Sequence, residues 1–167
     1  MIPATSLPVT PWANGAGRKS DIASGNDWLL GFAWLDKDAP FSDYSGHDRT
    51  IMLLEGPGFS LDLPAGRTVT VTERNNPVAF DGAGPIACHV VGPSRVLNAI
   101  SVYPLYSHTM QVMTGRDLVP GPGVYAVVLR GTLGDAGPLD TLLLTAPVEA
   151  SADALIAVIR FVREKDA

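Results

Sequence analysis

An all-β fold, many short strands joined by tight turns, is what this sequence predicts, and three observations lead there. First, 17 glycines and 14 prolines make 31 of the 167 residues. That share is above average usage but below the level of low-complexity chains. It keeps uninterrupted segments short and disfavours a helical bundle. Second, hydrophobic residues make 46% of the chain and charged residues only 17%, which excludes disorder and supplies material for a core. Third, short apolar runs, several of them alternating, recur between Gly- and Pro-rich turns along the whole chain. A chain of this length buries about 70% of its unfolded surface, enough for one domain or two small fused halves.

The elements follow in order. Residues 1–25 read as irregular, interrupted by Pro3, Pro8, Pro11, Gly15, Gly17 and Gly25. Trp28 to Leu35, aromatic and aliphatic, is the first strand, and Asp36 to His47 is a loop carrying Pro40 and Gly46. Thr50 to Leu54 is an apolar strand ended by Glu55-Gly56-Pro57-Gly58, a turn by composition. Phe59 to Leu63 alternates, Pro64-Ala65-Gly66 turns the chain, and Val69 and Val71 continue the alternation to Thr72. Val78 to Phe80, Ile86 to Val91 and Val96 to Val102 are further strands between Gly/Pro turns. The second part repeats the rhythm with Ser107 to Met113, Val124 to Leu129 and Leu139 to Thr145. Ala154 to Val162 fits a helical face capped by Ser151 or Asp153. Its β-branched content fits a buried strand equally, and the company of the other segments favours strand.

One similarity links the two parts. Leu53-Leu54-Glu55-Gly56 and Val128-Leu129-Arg130-Gly131 share the form apolar, Leu, charged, Gly at an offset of 75 residues. A repeat near half the chain length suggests two related β units.

The charge balance narrows the partners. Net charge is −5, from 17 acidic and 12 basic residues, and no basic run offers the phosphate-neutralising patch that nucleic acid requires. No apolar run approaches the length of a membrane span. The N-terminal residues lack the positive start and apolar stretch of a signal peptide. Cys88 is the single cysteine, so no intramolecular disulfide forms, which fits a cytoplasmic protein. Its simplest reading is a small buried hydrophobe.

Few residues carry chemistry. His47, His89 and His108 are spaced 42 and 19 residues apart with no His-x-His pair, so no metal is expected. No Gly-x-Ser-x-Gly elbow is present, and Cys88 and His89 point to opposite faces if both lie in a strand. Asn14-Gly15-Ala16-Gly17 lacks the preceding strand and the Lys-Ser/Thr of a phosphate loop. It does offer backbone able to approach a ligand closely, flanked by Trp12 and Asn14; the alternative is a tight turn anchored by Trp12. Gly46-His47-Asp48-Arg49-Thr50 is the densest functional cluster and leads straight into an apolar strand. Arg49 suits two-pronged carboxylate binding; a local Asp48–Arg49 ion pair is the competing reading. Asn98, inside an apolar strand, is either a ligand contact or a structural tie.

The segments Pro11 to Gly17, Phe41 to Gly56, Pro77 to Gly82 and Gly92 to Asn98 together resemble the HutD/Ves family, in the same order along the chain. The resemblance implies a cupin-type double barrel (a bicupin of RmlC-like jelly rolls) with an N-terminal half over 1–104, bearing the Gly-rich arm, and a smaller C-terminal half over 105–167. It implies no cofactor and a possible homodimer. It also implies a metal-free binder of a small carboxylate, of the urocanate or formylglutamate type, that modulates histidine utilisation without demonstrated catalysis. Carried over by position, Trp12, Asn14, Gly15, Gly17, Arg49, Phe80 and Asn98 are the expected ligand-binding residues, and Asp48 also matches a family motif. Two alternatives stand beside this: an isomerase or hydrolase on the same fold with His47 or Asp48 as general base, and a dimeric interaction module. The chain departs from the family at Ala13, Ala16, Lys19-Ser20-Asp21, Val96 and Ile100 to Tyr103, which leaves the ligand's identity open.

Overall fold

The computed structural model describes residues 1–164; the last three residues of the expected 105–167 half lie outside them. The described strands pair antiparallel into three sheets. The middle sheet places side by side β1 (Thr10–Pro11), β2 (Gly17–Ser24), β3 (Trp28–Leu35), β10 (Ser94–Val102), β5 (His47–Glu55) and β8 (Pro77–Asp81). A second sheet orders β4 (Ala39–Phe41), β9 (Ile86–Val90), β6 (Phe59–Leu63) and β7 (Arg67–Val71). The third orders β11 (Tyr106–Thr114), β14 (Leu155–Arg163), β12 (Val124–Arg130) and β13 (Thr141–Leu143). No helix among the described residues is long and apolar enough to cross a membrane.

The middle sheet is covered on both faces, and this is why β5 and β10 read as apolar runs rather than alternating ones. On one face Ile51, Leu53 and Val96 meet Phe59, Leu61 and Ile86 of the second sheet. On the other, Phe32, Met52 and Leu97 meet Val127, Ile159 and Phe161 of the third. The far face of the third sheet buries Val124, Val128 and Ile156 under Leu133, Ala136 and Leu144 from the segments around β13. Each fully buried side chain of this size contributes about 1.5–3 kcal/mol.

Three sequence expectations need correction. Residues 17–24, read as irregular, form β2, because β3 supplies a complete pairing partner and Ser20 and Ile22 turn inward. Pairing of this kind overrides a composition of Gly, Arg, Lys and Asp. Ala39–Phe41, placed in a loop, pairs with β9 at the sheet edge, where a proline's missing N–H costs no ladder bond. The expected Leu139 to Thr145 strand shrinks to Thr141–Leu143, because Leu139 adopts a φ of 71° that no strand accommodates. The ambiguous final segment is strand, paired on both sides by β11 and β12.

The internal repeat extends into three dimensions. β3, β10, β5, β8 and β11, β14, β12, β13 are two sets in which the first, fourth, second and third strands by chain order lie side by side. β5 and β12 each end in a register shift, followed by a left-handed glycine, Gly56 at φ 94° and Gly131 at φ 71°. A serine hydroxyl then accepts a backbone N–H in each: Ser94 from Gly58 at 3.0 Å and Ser151 from Thr132 at 2.9 Å.

Candidate functional site

Arg49 is the point from which the site is built. It sits near the start of β5, on the face turned to the second sheet, and only 6% of it is exposed. Alternation along the strand dictates this: Arg49, Ile51 and Leu53 share a face, while Asp48 and Thr50 take the other. Asp48 is therefore exposed and forms no ion pair with its neighbour. Among the described residues no carboxylate pairs with Arg49, and its buried Nε and Nη1 have no hydrogen-bond partner. What surrounds it is aromatic. Its guanidinium carbon lies 4.9 Å from the Phe41 ring centroid and 5.2 Å from those of Tyr44 and Phe80. Each such contact is worth about 0.5–2 kcal/mol. They offset only part of the desolvation, which pushes the Arg49 pKa down to about 10. That displacement corresponds to about 3 kcal/mol against the charged form. Arg49 nevertheless remains cationic at neutral pH.

Arg49 lines a cavity of about 350 Å³ between β2, β3, β10 and residues 40–44 at and after the end of β4. Asn98 lines it too, two residues along β10 from Ile100, the partner of Arg49, and its buried Oδ1 lacks a partner. A buried amide or guanidinium left unpaired costs about 1–3 kcal/mol, more if charged. Between Asn98 and Asp21 lies Gly31, in register with both. A Cβ at Gly31 would press on the Ser20 carbonyl oxygen at 2.9 Å.

The N-terminal arm closes one side. Trp12 and Asn14 line the cavity, and Trp12 meets Phe41 edge-on with centroids 6.2 Å apart. The turn is tied by Gly15 N–H donating to the Trp12 carbonyl, and by Asn14 Oδ1 accepting from Ala16 N–H at 3.0 Å. Gly15, at φ 65°, and Gly17 are not walls of the cavity. A side chain at Gly17 would collide with the Trp34 carbonyl and press on the Trp12 ring, so Gly17 sets where Trp12 stands. Phe80 likewise is not a wall; it backs Arg49.

The proposed general bases lie elsewhere. Asp48 points away from the cavity by strand alternation. His47 Nδ1 contacts the Ser45 carbonyl at 3.1 Å, and the ring lines a neighbouring depression instead. Neither reaches the cavity that Arg49 lines, so the geometry does not support the enzyme alternative in that form. His89 is at the surface between Asp38 and Asp62, and the Asp38 hydrogen bond raises its pKa. His108 is wedged between sheets, its ring nitrogens 2.7 Å from Ser101 Oγ and 3.0 Å from Thr50 Oγ1, and burial lowers its pKa. No three His, Cys, Asp or Glu among the described residues converge as metal ligands. Cys88 is buried in the first core, with its thiol pushed up to about 12 by desolvation.

The HutD family profile matches residues 4–133. The chain belongs to the HutD family. An uncharacterized 21.2 kDa protein from the hutC 3′ region of Pseudomonas putida is 28% identical over 125 residues. The match covers 70% of this chain, which spans 65% of that relative's length. Among solved structures, a conserved protein of unknown function from Pseudomonas aeruginosa PAO1 superposes with a TM-score of 0.85. It is 21% identical, with 98% of each chain covered. HutD from Pseudomonas fluorescens SBW25 gives 0.75 at 20% identity over 98% of this chain and 97% of that one. A cupin 2 conserved barrel domain protein from Leptotrichia buccalis gives 0.60 at 11% identity, covering 87% and 88%. The HutD-family fold is thus the cupin-type jelly roll.

In this HutD-family chain the cavity also uses residues that motif reading did not single out. Phe41 and Tyr44 flank the guanidinium, and Lys19 and Asp21, paired at 3.2 Å, stand on β2 at the rim. The available signal for the first two was a pair of aromatic residues within a few positions of an arginine that leads into an apolar strand.

Proposed function

We propose that this HutD-family protein is a small-molecule-binding protein whose cavity seats a small carboxylate on Arg49. The observation that supports this most is Arg49 itself: 6% exposed, without a carboxylate, its Nε and Nη1 unpartnered, and lining a cavity. A cation is kept in such a place at a cost in stability, and an arriving anion offsets that cost. Asn98 Oδ1 accepts an N–H or O–H of the same ligand, Phe41 and Tyr44 hold the guanidinium, and Trp12 walls the arm side. Family membership favours a ligand of histidine utilisation, such as urocanate or formylglutamate, and a modulating rather than catalytic role.

Titration calorimetry with urocanate and with N-formylglutamate tests this. Saturable binding at micromolar to millimolar affinity, lost at least tenfold in Arg49→Met, is expected. Binding that survives Arg49→Met unchanged overturns the assignment.

A further inference from the structure

The Arg49 cavity continues into a second depression of about 260 Å³. The two share four walls: Asp21, Leu29, Tyr44 and Ile100. They adjoin along these four residues as one groove. The two ends differ in chemistry. One presents the buried guanidinium of Arg49, with Nε and Nη1 unpartnered, beside the orphaned Asn98 Oδ1. The other presents acceptors. Asp27 brings a carboxylate, and Asp21 a second one that Lys19 already pairs at 3.2 Å. The His47 ring stands beside them, its Nδ1 3.1 Å from the Ser45 carbonyl oxygen.

The sheet sets the spacing. Asp21, Gly31 and Asn98 lie on one rung of β2, β3 and β10, so two strand intervals, about 10 Å, separate the outer pair. Gly31 leaves the floor between them without a side chain.

We propose that the groove takes a zwitterion, its carboxylate on Arg49 and a cationic N–H group, ammonium or amidinium, on Asp27. This rests on the carboxylate reading of Arg49 and adds the second pole. A simple carboxylate fills only the Arg49 end and leaves the Asp27 carboxylate to water. A molecule with a positive nitrogen four or five bonds from its carboxylate satisfies both.

Calorimetry with two matched pairs tests this: valerate against 5-aminovalerate, and butyrate against 4-aminobutyrate. The amino acids are expected to bind at least tenfold tighter than their plain counterparts, and Asp27→Asn to bring that ratio to within twofold of one. A ratio near or below one in the wild type overturns the zwitterion while leaving the Arg49 assignment standing. So does a high ratio that Asp27→Asn does not change. Failure of all four acids to bind overturns both.

Discussion

Two strand sets with the same order, β3–β10–β5–β8 and β11–β14–β12–β13, differ most at two rungs. At the repeat offset of 75 residues, Arg49 of β5 corresponds to Val124 of β12, and Asn98 of β10, paired with Ile51, to Val158 of β14, paired with Ala126. Val124 and Val158 belong to a closed apolar core under Leu133 and Leu144. Arg49 and Asn98 face a cavity with polar atoms left unpaired. The same backbone scaffold thus serves stability in one place and binding in the other. The difference is polar groups that only an outside molecule satisfies.

The largest effect comes from importing the site's chemistry into the closed half. Val124→Arg places an unpaired charge in a core with no room for it, and a loss of about 3–5 kcal/mol in denaturant unfolding is expected. The reverse exchange, Arg49→Met, is expected to raise the stability of the ligand-free protein by about 1–4 kcal/mol, because a similar volume is kept and the desolvated charge is gone.

A smaller effect tests whether the two halves share their turn chemistry. Gly56 and Gly131 both adopt left-handed φ, and a Cβ on either would strike backbone or the serine across the turn. Gly56→Ala and Gly131→Ala are each expected to cost more than about 1 kcal/mol, by comparable amounts. A cost at only one of them breaks the structural equivalence.

The smallest effects are in pH, with opposite signs at two histidines. Burial holds the His108 pKa below its ordinary 6.5, so the unfolded chain binds the proton more readily. Its contribution is present above pH 6.5 and is lost as pH falls. His89, raised above 6.5 by Asp38, contributes below that pH and loses its contribution as pH rises through the raised value. Nuclear magnetic resonance titration of the ring protons is expected to show His108 titrating at lower pH than His89.

Much of the fold was legible because its strands are bounded by Gly/Pro turns, and the doubly covered β5 and β10 announced themselves as apolar runs. β2 was not, because its outward positions carry Arg, Lys and Asp and its strand character comes from pairing with β3. Arg49 and Asn98 were legible as polar residues in apolar surroundings. Tyr44, Phe41, Lys19 and Asp21 were not, because a loop, the edge strand β4 and the pairing of β2 with β3 bring them to the cavity at distances no local period encodes. Gly15, Gly17 and Phe80 stood out in the motifs, but they shape the wall from behind.

The central claim is that Arg49 is held at a cost to stability for the sake of an anion. Denaturant unfolding of wild type and Arg49→Met, each with and without a saturating small carboxylate such as urocanate, addresses it directly. The account predicts a variant more stable than wild type without ligand, and a ligand-induced gain in the wild type alone. A variant that is less stable and gains as much from the carboxylate as the wild type does would contradict it.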